Sequence, residues 1–272
     1  MKHQKDMTPP IDFQRYPLDW GGDVLARLVS DCRARLDRDQ YCSLPGFLLA
    51  DAVDASAKEA VSLQDRANAA NSLRNCYLQR KGSPDHAPDH PRNIVNRARY
   101  RMIAADLLPA ASNLKKLYHW PPFQEMVAAI VGERKLFPNE DLLQPVNVIC
   151  YGAGDQSAWH YDSNNAFTMT LMLQAAESGG LFELAPNTRR SEDDEDIAYM
   201  TDVLNGGRAQ VRTVSREASE LTIFRGCNSL HRVSPVSGDR QRLMAVFVYE
   251  TEPGITGDPE VNMTVYGRTG AS

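Results

Sequence analysis

Three residues with metal-binding side chains stand out in the second half of the chain. His160 and Asp162 are two positions apart, and His231 follows much later. Side chains two positions apart on an extended strand point to the same side, so a strand end can direct both groups at one ion. Two imidazoles and one carboxylate leave half of a metal's coordination sphere open, which is typical of non-haem iron(II) oxygenases. The pattern predicts an iron(II) site with His160, Asp162 and His231 as metal ligands and catalytic residues.

The sequence around these residues favours strands and turns. An apolar run at 146–151 and a glycine-containing turn precede His160. Pro235 follows His231, and an apolar strand that begins near Arg242 comes next. A surface histidine beside a turn aspartate is the alternative for an isolated His-x-Asp pair, and this context argues against it.

The composition is that of a globular protein. The 272 residues are 42% hydrophobic and 24% charged, with a net charge of −5. This length suffices for one large domain or two small ones. The negative charge argues against a general nucleic-acid binder, and no apolar run reaches the ~20 residues of a membrane span. We therefore expect a small-molecule substrate, no nucleic-acid or membrane partner, and a monomer or homodimer.

The five cysteines form no recognisable metal or disulfide pattern. Their number is odd, and no Cys-x-x-Cys spacing occurs. Because the N-terminus also lacks a secretory leader, a reducing, cytoplasmic location is expected. Cys150 and Cys227 lie near the proposed ligands in sequence, and we expect them to be small buried hydrophobic side chains.

The chain changes from helical to strand patterns near its middle. Apolar residues at helical spacing predict helices over 24–36, 51–63, 107–117 and 123–131, with short strands at 42–49 and 93–102. Later apolar runs separated by turn residues predict strands over 146–151, 166–174, 180–184, 209–214, 220–224 and 241–250. The acidic run 191–196 is expected to begin a surface helix over 197–204, with a calcium site as its alternative.

These elements favour an α+β fold. We expect a distorted double-stranded β-helix, which is a jelly-roll or cupin-like barrel, with N-terminal helices packed on it. Residues 1–10 are expected to be disordered and 11–272 to form a single domain, with a helical half at 11–140 and the barrel core at 145–252. The segment 81–91 holds two Asp-His pairs. It is expected to be a solvated loop, with a second metal site as its alternative.

Four segments resemble the iron(II)/2-oxoglutarate-dependent dioxygenases of the prolyl-hydroxylase-like type. They lie at 147–155, 159–162, 179–183 and 224–240, within residues 145–250. The tryptophan before the ligand pair, the Gly-Gly-Leu-Phe-Glu run and the Asn-Ser-Leu-His-Arg-Val run look most like one branch of this family. That branch contains bacterial hydroxylases and radical halogenases that act on free amino acids and similar small metabolites.

The resemblance implies Fe(II) as cofactor, with 2-oxoglutarate and O2 as co-substrates that together oxidise a C–H bond. In the halogenases a small residue replaces the triad carboxylate and leaves room for a halide. Asp162 fills that position here, which implies hydroxylation, or a related oxidation such as desaturation. The implied substrate is a small molecule, a free or derivatised amino acid. A basic one is not implied, because Ser157, Ser163 and Asn164 lie where a lysine-specific relative would place acidic or imidazole groups.

The distal carboxylate of 2-oxoglutarate needs a buried cation, and a guanidinium can bind it through two hydrogen bonds. Arg240 and Arg242 follow His231 at spacings that the wider family uses, and we expect one of the two to bind it. The two arginines are two positions apart, so on a strand both side chains would point to the same side. The two-residue period therefore does not tell which of them binds the carboxylate. Hydroxyl groups on neighbouring strands can add co-substrate contacts, although each also fits an ordinary sheet or core position: Tyr151, Thr168 and Thr170.

An amino-acid-like substrate also needs a cation for its carboxylate. Arg92 and Arg97 are the candidates, with solvated arginines as the alternative for both. Trp159 and Asn228 flank the metal ligands and are candidate substrate-side residues. Packing is the favoured role for Trp159, whereas Asn228 is expected either to orient His231 or to shape a turn.

Three other functions are compatible with these residues. A peptide or protein hydroxylase of the same fold is the first, and the compact chain without a recognition domain favours a small molecule over it. A non-enzymatic metal-binding barrel would need neither an intact triad nor an arginine for the co-substrate. A zinc hydrolase can use two histidines and an aspartate, but the sequence has no His-Glu-x-x-His motif.

Overall fold

The computed structural model describes residues 8–18, 22–162, 167–191 and 193–270. Predictions that concern residues 1–7, Ser163, Asn164 and Ala166 lie outside these ranges. None of the described helices has the length and apolar character needed to cross a membrane.

Six helices surround the sheets within the described ranges. Their ends follow familiar signals: Pro121 occupies the first turn of the fourth helix, and Gly132, at φ 87°, ends it. The Asp196 carboxylate accepts a hydrogen bond from the backbone N–H of Tyr199 and caps the fifth. The helices are α1 (Gly22–Asp39), α2 (Ala50–Leu63), α3 (Asn113–Tyr118), α4 (Pro121–Val131), α5 (Ile197–Leu204) and α6 (Pro259–Tyr266).

Short strands make up most of the remainder. In chain order they are β1 (Tyr41–Leu44), β2 (Asn68–Arg74), β3 (Asn96–Ile103), β4 (Phe137–Pro138), β5 (Val146–Tyr151), β6 (Thr168–Gln174), β7 (Ser178–Gly179), β8 (Phe182–Ala185), β9 (Arg189–Ser191), β10 (Asp194–Glu195), β11 (Arg212–Val214), β12 (Leu221–Phe224), β13 (Leu230–Val233), β14 (Val236–Ser237), β15 (Arg242–Phe247) and β16 (Tyr249–Glu250).

The strands form one large antiparallel sheet and several small ones. The large sheet has the order β1-β12-β6-β15-β5-β3-β2, and a three-stranded sheet has the order β11-β8-β13. Two-stranded ribbons, β7 with β14 and β4 with β16, add to these. The antiparallel sheets and the helices confirm the predicted α+β class and the double-stranded β-helix.

The two faces of the large sheet have different roles. Alternate residues of β15, such as Leu243 and Ala245, join helix residues such as Leu36 in the main hydrophobic core. The residues between them, Met244 and Val246, face the opposite side and line a cavity. This alternation follows from the two-residue period of a strand. One face therefore binds helices α1–α4, while the other face, with α6 beside it, is available for a site.

The first half of the chain is less helical than predicted. It supplies β2, which was not predicted, besides β1 and β3, which overlap the strands predicted at 42–49 and 93–102. The three extend the large sheet at both edges. The predicted helix over 107–117 is shorter, because Pro109 cannot continue a helix and α3 begins only after Ser112. Helix α2 begins at Ala50, one residue before the predicted start at 51. Helix α6 was not predicted from the sequence.

Candidate functional site

The two histidines are brought together by backbone pairing. His160 and His231 form an isolated antiparallel bridge. Each backbone N–H donates to the other residue's carbonyl, at 3.0 and 3.1 Å. The bridge places the imidazole centroids 4.3 Å apart. Because His231 lies in β13, the bridge holds the segment that carries His160 against the small sheet.

Asp162 completes the group. Its carboxylate lies 3.5 Å from Nε2 of His160 and 3.3 Å from Nε2 of His231. One ligand atom from each of the three residues lies within 4.8 Å of the other two. Within the described ranges no other histidine, cysteine or acidic residues form such a group. This result argues against the alternative metal sites at 81–91 and in the described part of 191–196.

Both imidazoles are oriented by nearby carbonyl groups. Nδ1 of His160 lies 2.8 Å from the carbonyl oxygen of Ala158, and Nδ1 of His231 lies 3.1 Å from that of Ser229. A carbonyl can only accept a hydrogen bond, so each Nδ1 carries the hydrogen. The lone pair of each Nε2 is then available to a metal.

Thr168 and Gly226 also hold Asp162 in position through hydrogen bonds. Thr168 donates a short hydrogen bond to its Oδ2, and its backbone N–H donates to Gly226 at 3.1 Å. Burial opposes ionisation, but His231 and His160 outweigh it and hold the pKa of Asp162 well below its usual range. Burial likewise lowers the pKa of His231, and Asp162 outweighs that effect and raises it. Two nitrogens and an ionised oxygen, with half the coordination sphere open, fit Fe(II).

A cavity of about 280 Å³ adjoins the three residues. Asp162 is the only carboxylate among its described lining residues, whereas Arg74, Arg216 and Arg232 supply positive charge. Arg232 is neutralised by Glu183, with Nε 2.5 Å from the carboxylate. The remaining lining is mostly aromatic and apolar and includes Tyr100, Tyr151, Thr170, Phe182, Met244 and Tyr266.

The structure separates the two arginines that the sequence leaves equivalent. Arg240 is exposed, and its guanidinium donates to the carbonyl oxygens of Ala175 and Ala176 on the protein surface. Arg242 is 1% exposed and lies beneath Met244, whose sulfur accepts from Nη2 at 3.3 Å. Nε and Nη1 of Arg242 have no hydrogen-bond partner among the described atoms.

The predicted hydroxyl residues lie at the cavity in different ways. Tyr151 pairs with Arg242 across β5 and β15, and its ring centre is 5.4 Å from Cζ of Arg242. Thr168 is engaged with Asp162. The hydroxyl of Thr170 accepts from Nη1 of Arg216 at 2.9 Å.

The other predicted residues lie outside the cavity lining. Arg97 is exposed and donates to Asn71 at 3.3 Å, and Arg92 stacks on the Tyr77 ring at 4.2 Å. Trp159 is 1% exposed and packs against Arg232 at 4.9 Å. The Asn228 amide donates to the carbonyls of residues 189 and 190 and does not orient His231, whose Nδ1 is bound to Ser229.

Two buried arginines of the site were missed in the sequence. Arg74 ends β2, is 3% exposed and hydrogen-bonds the Tyr100 hydroxyl. The sequence gives no local signal for its burial, because on β2 the apolar Leu73 is 52% exposed and the charged Arg74 faces inward. Arg216 precedes β12 in a loop, where no periodic pattern indicates which way a side chain points.

Several solved structures have a similar architecture. An oxidoreductase of the 2OG-Fe(II) oxygenase family from Burkholderia pseudomallei matches with 15% identity and a TM-score of 0.52, over 87% of this chain and 94% of its own. A prolyl hydroxylase from Trichoplax adhaerens, solved with a hypoxia inducible factor peptide, matches with 15% identity and a TM-score of 0.55, over 84% and 90%. The α-ketoglutarate-dependent epimerase SnoN from nogalamycin biosynthesis matches with 18% identity and a TM-score of 0.56, over 86% and 91%.

At these identities the likeness shows the fold. The chain has the fold of the 2OG-Fe(II) oxygenases, which use Fe(II), 2-oxoglutarate and O2, and it carries a His-Asp-His triad able to bind iron. The family model of Halogenase D, HalD, matches residues 25–264. The chain therefore belongs to the Halogenase D family. No curated protein matches it.

Proposed function

We propose that this protein is an iron(II)/2-oxoglutarate-dependent hydroxylase that acts on an unactivated C–H bond of a small, amino-acid-like molecule. One observation carries the proposal: an intact His160–Asp162–His231 triad adjoins a cavity with buried, partly unpaired arginines. Iron in this triad, with 2-oxoglutarate and O2, would supply the oxidising chemistry. The protein supplies the ligands, their orientation and a pocket sheltered from water.

Arg242 is the residue that binds the distal carboxylate of 2-oxoglutarate in this proposal. It is buried, and it keeps two nitrogen groups unbonded, which a carboxylate can use. Its contact atom, the Met244 sulfur, belongs to a flexible side chain that can change rotamer when a ligand binds. Arg240 has neither property, because its guanidinium is exposed and bonded to carbonyl groups.

The two arginines make a matched pair of variants. Arg242→Ala is expected to weaken 2-oxoglutarate binding by roughly 10²–10⁴-fold, because breaking a buried charge pair costs about 3–5 kcal/mol. Arg240→Ala is the control and should bind like the wild type. Both variants should retain iron. Normal 2-oxoglutarate affinity in Arg242→Ala would move the carboxylate site elsewhere.

Asp162 supports hydroxylation over halogenation, although the family is named for a halogenase. The carboxylate hydrogen-bonds Thr168 and lies against both histidines. It therefore occupies a metal position that a halide would need. Thr168 and the two imidazoles hold it there, so chloride would have to displace a fixed anion.

Arg74 supports an amino-acid-like substrate. It is 3% exposed at the cavity wall, and no described carboxylate forms an ion pair with it. A buried, unpaired guanidinium is costly unless a ligand supplies the opposite charge. We infer that Arg74 binds the carboxylate of the substrate, with Tyr100 fixing the guanidinium. Arg92 and Arg97, outside the cavity, are less suited to this role.

A succinate-release screen in chloride buffer tests the proposed function. The panel holds free amino acids, their N-acyl derivatives, nucleosides and peptides, and product mass is read by mass spectrometry. We expect a free or derivatised amino acid to give a product heavier by one oxygen atom, with turnover that needs Fe(II), 2-oxoglutarate and O2 together. Arg74→Gln should raise the KM of that substrate while the exposed control Arg97→Gln does not. A chlorinated major product would refute the hydroxylase assignment.

A further inference from the structure

Two buried guanidinium groups converge on one sulfur atom. Nη2 of Arg242 lies 3.3 Å from Sδ of Met244, and Nη1 of Arg216 lies 3.5 Å from the same atom. Arg216 is 5% exposed and Arg242 is 1% exposed. A thioether is a weak acceptor, so two charged donors directed at it indicate a point where a stronger acceptor can bind.

Both terminal nitrogens of Arg216 also donate to other acceptors, whereas its Nε has no hydrogen-bond partner among the described atoms. Nη1 donates to the hydroxyl of Thr170 at 2.9 Å, and Nη2 donates to the carbonyls of Thr170 and Glu220 at 3.2 and 3.3 Å. Nε lies 3.8 Å from the Glu220 carboxylate. These contacts fix the plane of the guanidinium, and the second hydrogen of Nη1 is the one directed at Met244.

The charges of Arg216, Arg242 and Glu220 do not balance, and one bound anion would neutralise them. Glu220 lies beside Arg216, whereas no described carboxylate pairs with Arg242. Two guanidiniums and one carboxylate carry a net charge of one. Burial lowers the pKa of Arg216 to about 9, with Arg242 adding to the effect, and burial lowers the pKa of Arg242 to about 10. Each positive charge therefore costs folding free energy at neutral pH, and a bound carboxylate would offset that cost.

We propose that Arg216 and Arg242 together bind the distal carboxylate of 2-oxoglutarate, at the point between them that the Met244 sulfur occupies in this structure. This inference rests on the proposed function, and it adds a second arginine that the sequence does not indicate. The thioether rotates aside, and each guanidinium donates to the carboxylate. A site built from two arginines selects 2-oxo acids that carry a second carboxylate.

The test compares two 2-oxo acids on the iron-loaded protein under anaerobic conditions. 2-Oxoglutarate has the distal carboxylate and 2-oxobutyrate lacks it. Arg216→Met removes the donor, and the double variant Arg216→Met/Glu220→Gln removes the pair without leaving a buried carboxylate unpaired. Arg240→Met is the matched control on the surface. Affinity for each acid is measured by titration, and Fe(II) affinity is measured separately.

Both Arg216 variants are expected to bind 2-oxoglutarate about 10–100-fold more weakly, which is the range for a lost hydrogen bond to a charged group. Their affinity for 2-oxobutyrate and for Fe(II) should equal that of the wild type. Unchanged 2-oxoglutarate binding in the double variant, or an equal loss for both acids, overturns the role of Arg216. If the wild type itself binds no 2-oxoglutarate, the proposed function fails as well.

Met244→Leu tests whether the sulfur atom marks the position at which the carboxylate binds. Leucine has nearly the same volume but accepts no hydrogen bond, so it does not compete with the carboxylate for the two arginines. The variant should bind 2-oxoglutarate at least as tightly as the wild type. A clear loss of affinity with intact iron binding would show that the sulfur is part of the site and does not mark the position of the carboxylate.

Discussion

At the scale of single residues, the site depends on a glycine as much as on its ligands. A Cβ atom built on Gly226 would overlap Oδ2 of Asp162 and the hydroxyl oxygen of Thr168. The backbone carbonyl of Gly226 also accepts from the N–H of Asp162 at 3.1 Å. The absence of a side chain at this position lets the carboxylate lie against both imidazoles.

Gly226→Ala should displace the Asp162 carboxylate and weaken Fe(II) binding by roughly tenfold or more, as loss of a partner that orients a metal ligand typically does. Fe(II) affinity is measured by competition with a chelator. Gly152→Ala is the control, because its Cβ would meet only Asp155 at an ordinary 3.6 Å. Equal iron affinity in the two variants would show that Asp162 tolerates the methyl group.

The metal ligands could be predicted because their types and spacing carry the chemistry directly. The choice between Arg240 and Arg242 could not, because β15 begins at Arg242 and the strand period no longer applies to Arg240. Arg216 and Arg74 depend on which chain segments meet in the fold. A single sequence does not contain that information for a loop residue such as Arg216.

At the scale of elements, the small sheet and the segment before the triad are joined through Trp159. Its ring packs against the guanidinium of Arg232 at 4.9 Å, and Arg232 bridges β13 to Glu183 on β8. The side chain is 1% exposed and is absent from the cavity lining. Trp159 therefore fits the packing role that the sequence favoured, and a role in substrate binding stays without support.

Trp159→Ala should lower the free energy of unfolding by about 3–5 kcal/mol, the usual cost of removing a buried tryptophan. Urea denaturation followed by circular dichroism measures it, and Trp159→Phe should lose less. If the alanine variant kept its stability but raised the KM of the substrate, the side chain would be a substrate contact.

Helix α6 was missed although its ends carry clear signals, since Asp258 caps it, Pro259 lies in its first turn and Gly267 ends it. Its apolar residues Val261, Met263 and Val265 recur every second position, which is the period of a strand and not of a helix. The Asn262 amide is 1% exposed, donates to Asp141 at 2.8 Å and accepts from Gln144 at 2.7 Å. Val261, Val265 and Tyr266 of this helix line the cavity. By contrast, β5 and α5 match the predicted bounds, because each has a clear period and clear ends.

Asn262→Ala should release α6 from the sheet. The substitution removes two buried hydrogen bonds, one to Asp141 and one from Gln144, at a cost of about 1–3 kcal/mol. Hydrogen exchange should then quicken at residues 259–267 and stay unchanged in β5. Unchanged protection of α6 would mean that its other contacts suffice.

At the scale of the whole molecule, the fold class was predictable from the sequence. The division of the chain into a helical half at 11–140 and a barrel core at 145–252 stays a prediction. The change from helical to strand patterns near residue 145 indicated the sheet-rich core. Of the three strands from the first half, β1 and β3 overlap the strands predicted at 42–49 and 93–102. Only β2 was missed, because sheet edges form by pairing with distant partners and have weak local patterns. Helices α1–α4 pack on one face of the large sheet, while α6 lies on the other face beside the cavity.

The reactivity of the cysteine thiols tests the packing of the folded protein. Four are at most 2% exposed, and Cys227 is partly exposed. Burial raises the pKa of Cys76 and of Cys150 to about 12, so these thiols stay protonated and unreactive at neutral pH. A thiol reagent should modify Cys227 alone in the native protein and all five cysteines after denaturation. Rapid reaction of a second thiol in the native protein would contradict the described packing.

The most direct test of the central claim is the anaerobic absorption spectrum of the protein with Fe(II) and 2-oxoglutarate. Chelation of ferrous iron by a 2-oxo acid gives a charge-transfer band in visible light. The wild type should develop this band only when both are present. His231→Ala should lose it with iron affinity, and Arg242→Ala should need far more 2-oxoglutarate to reach it. A wild-type protein that binds Fe(II) tightly but never shows the band, at any 2-oxoglutarate concentration, would contradict the account.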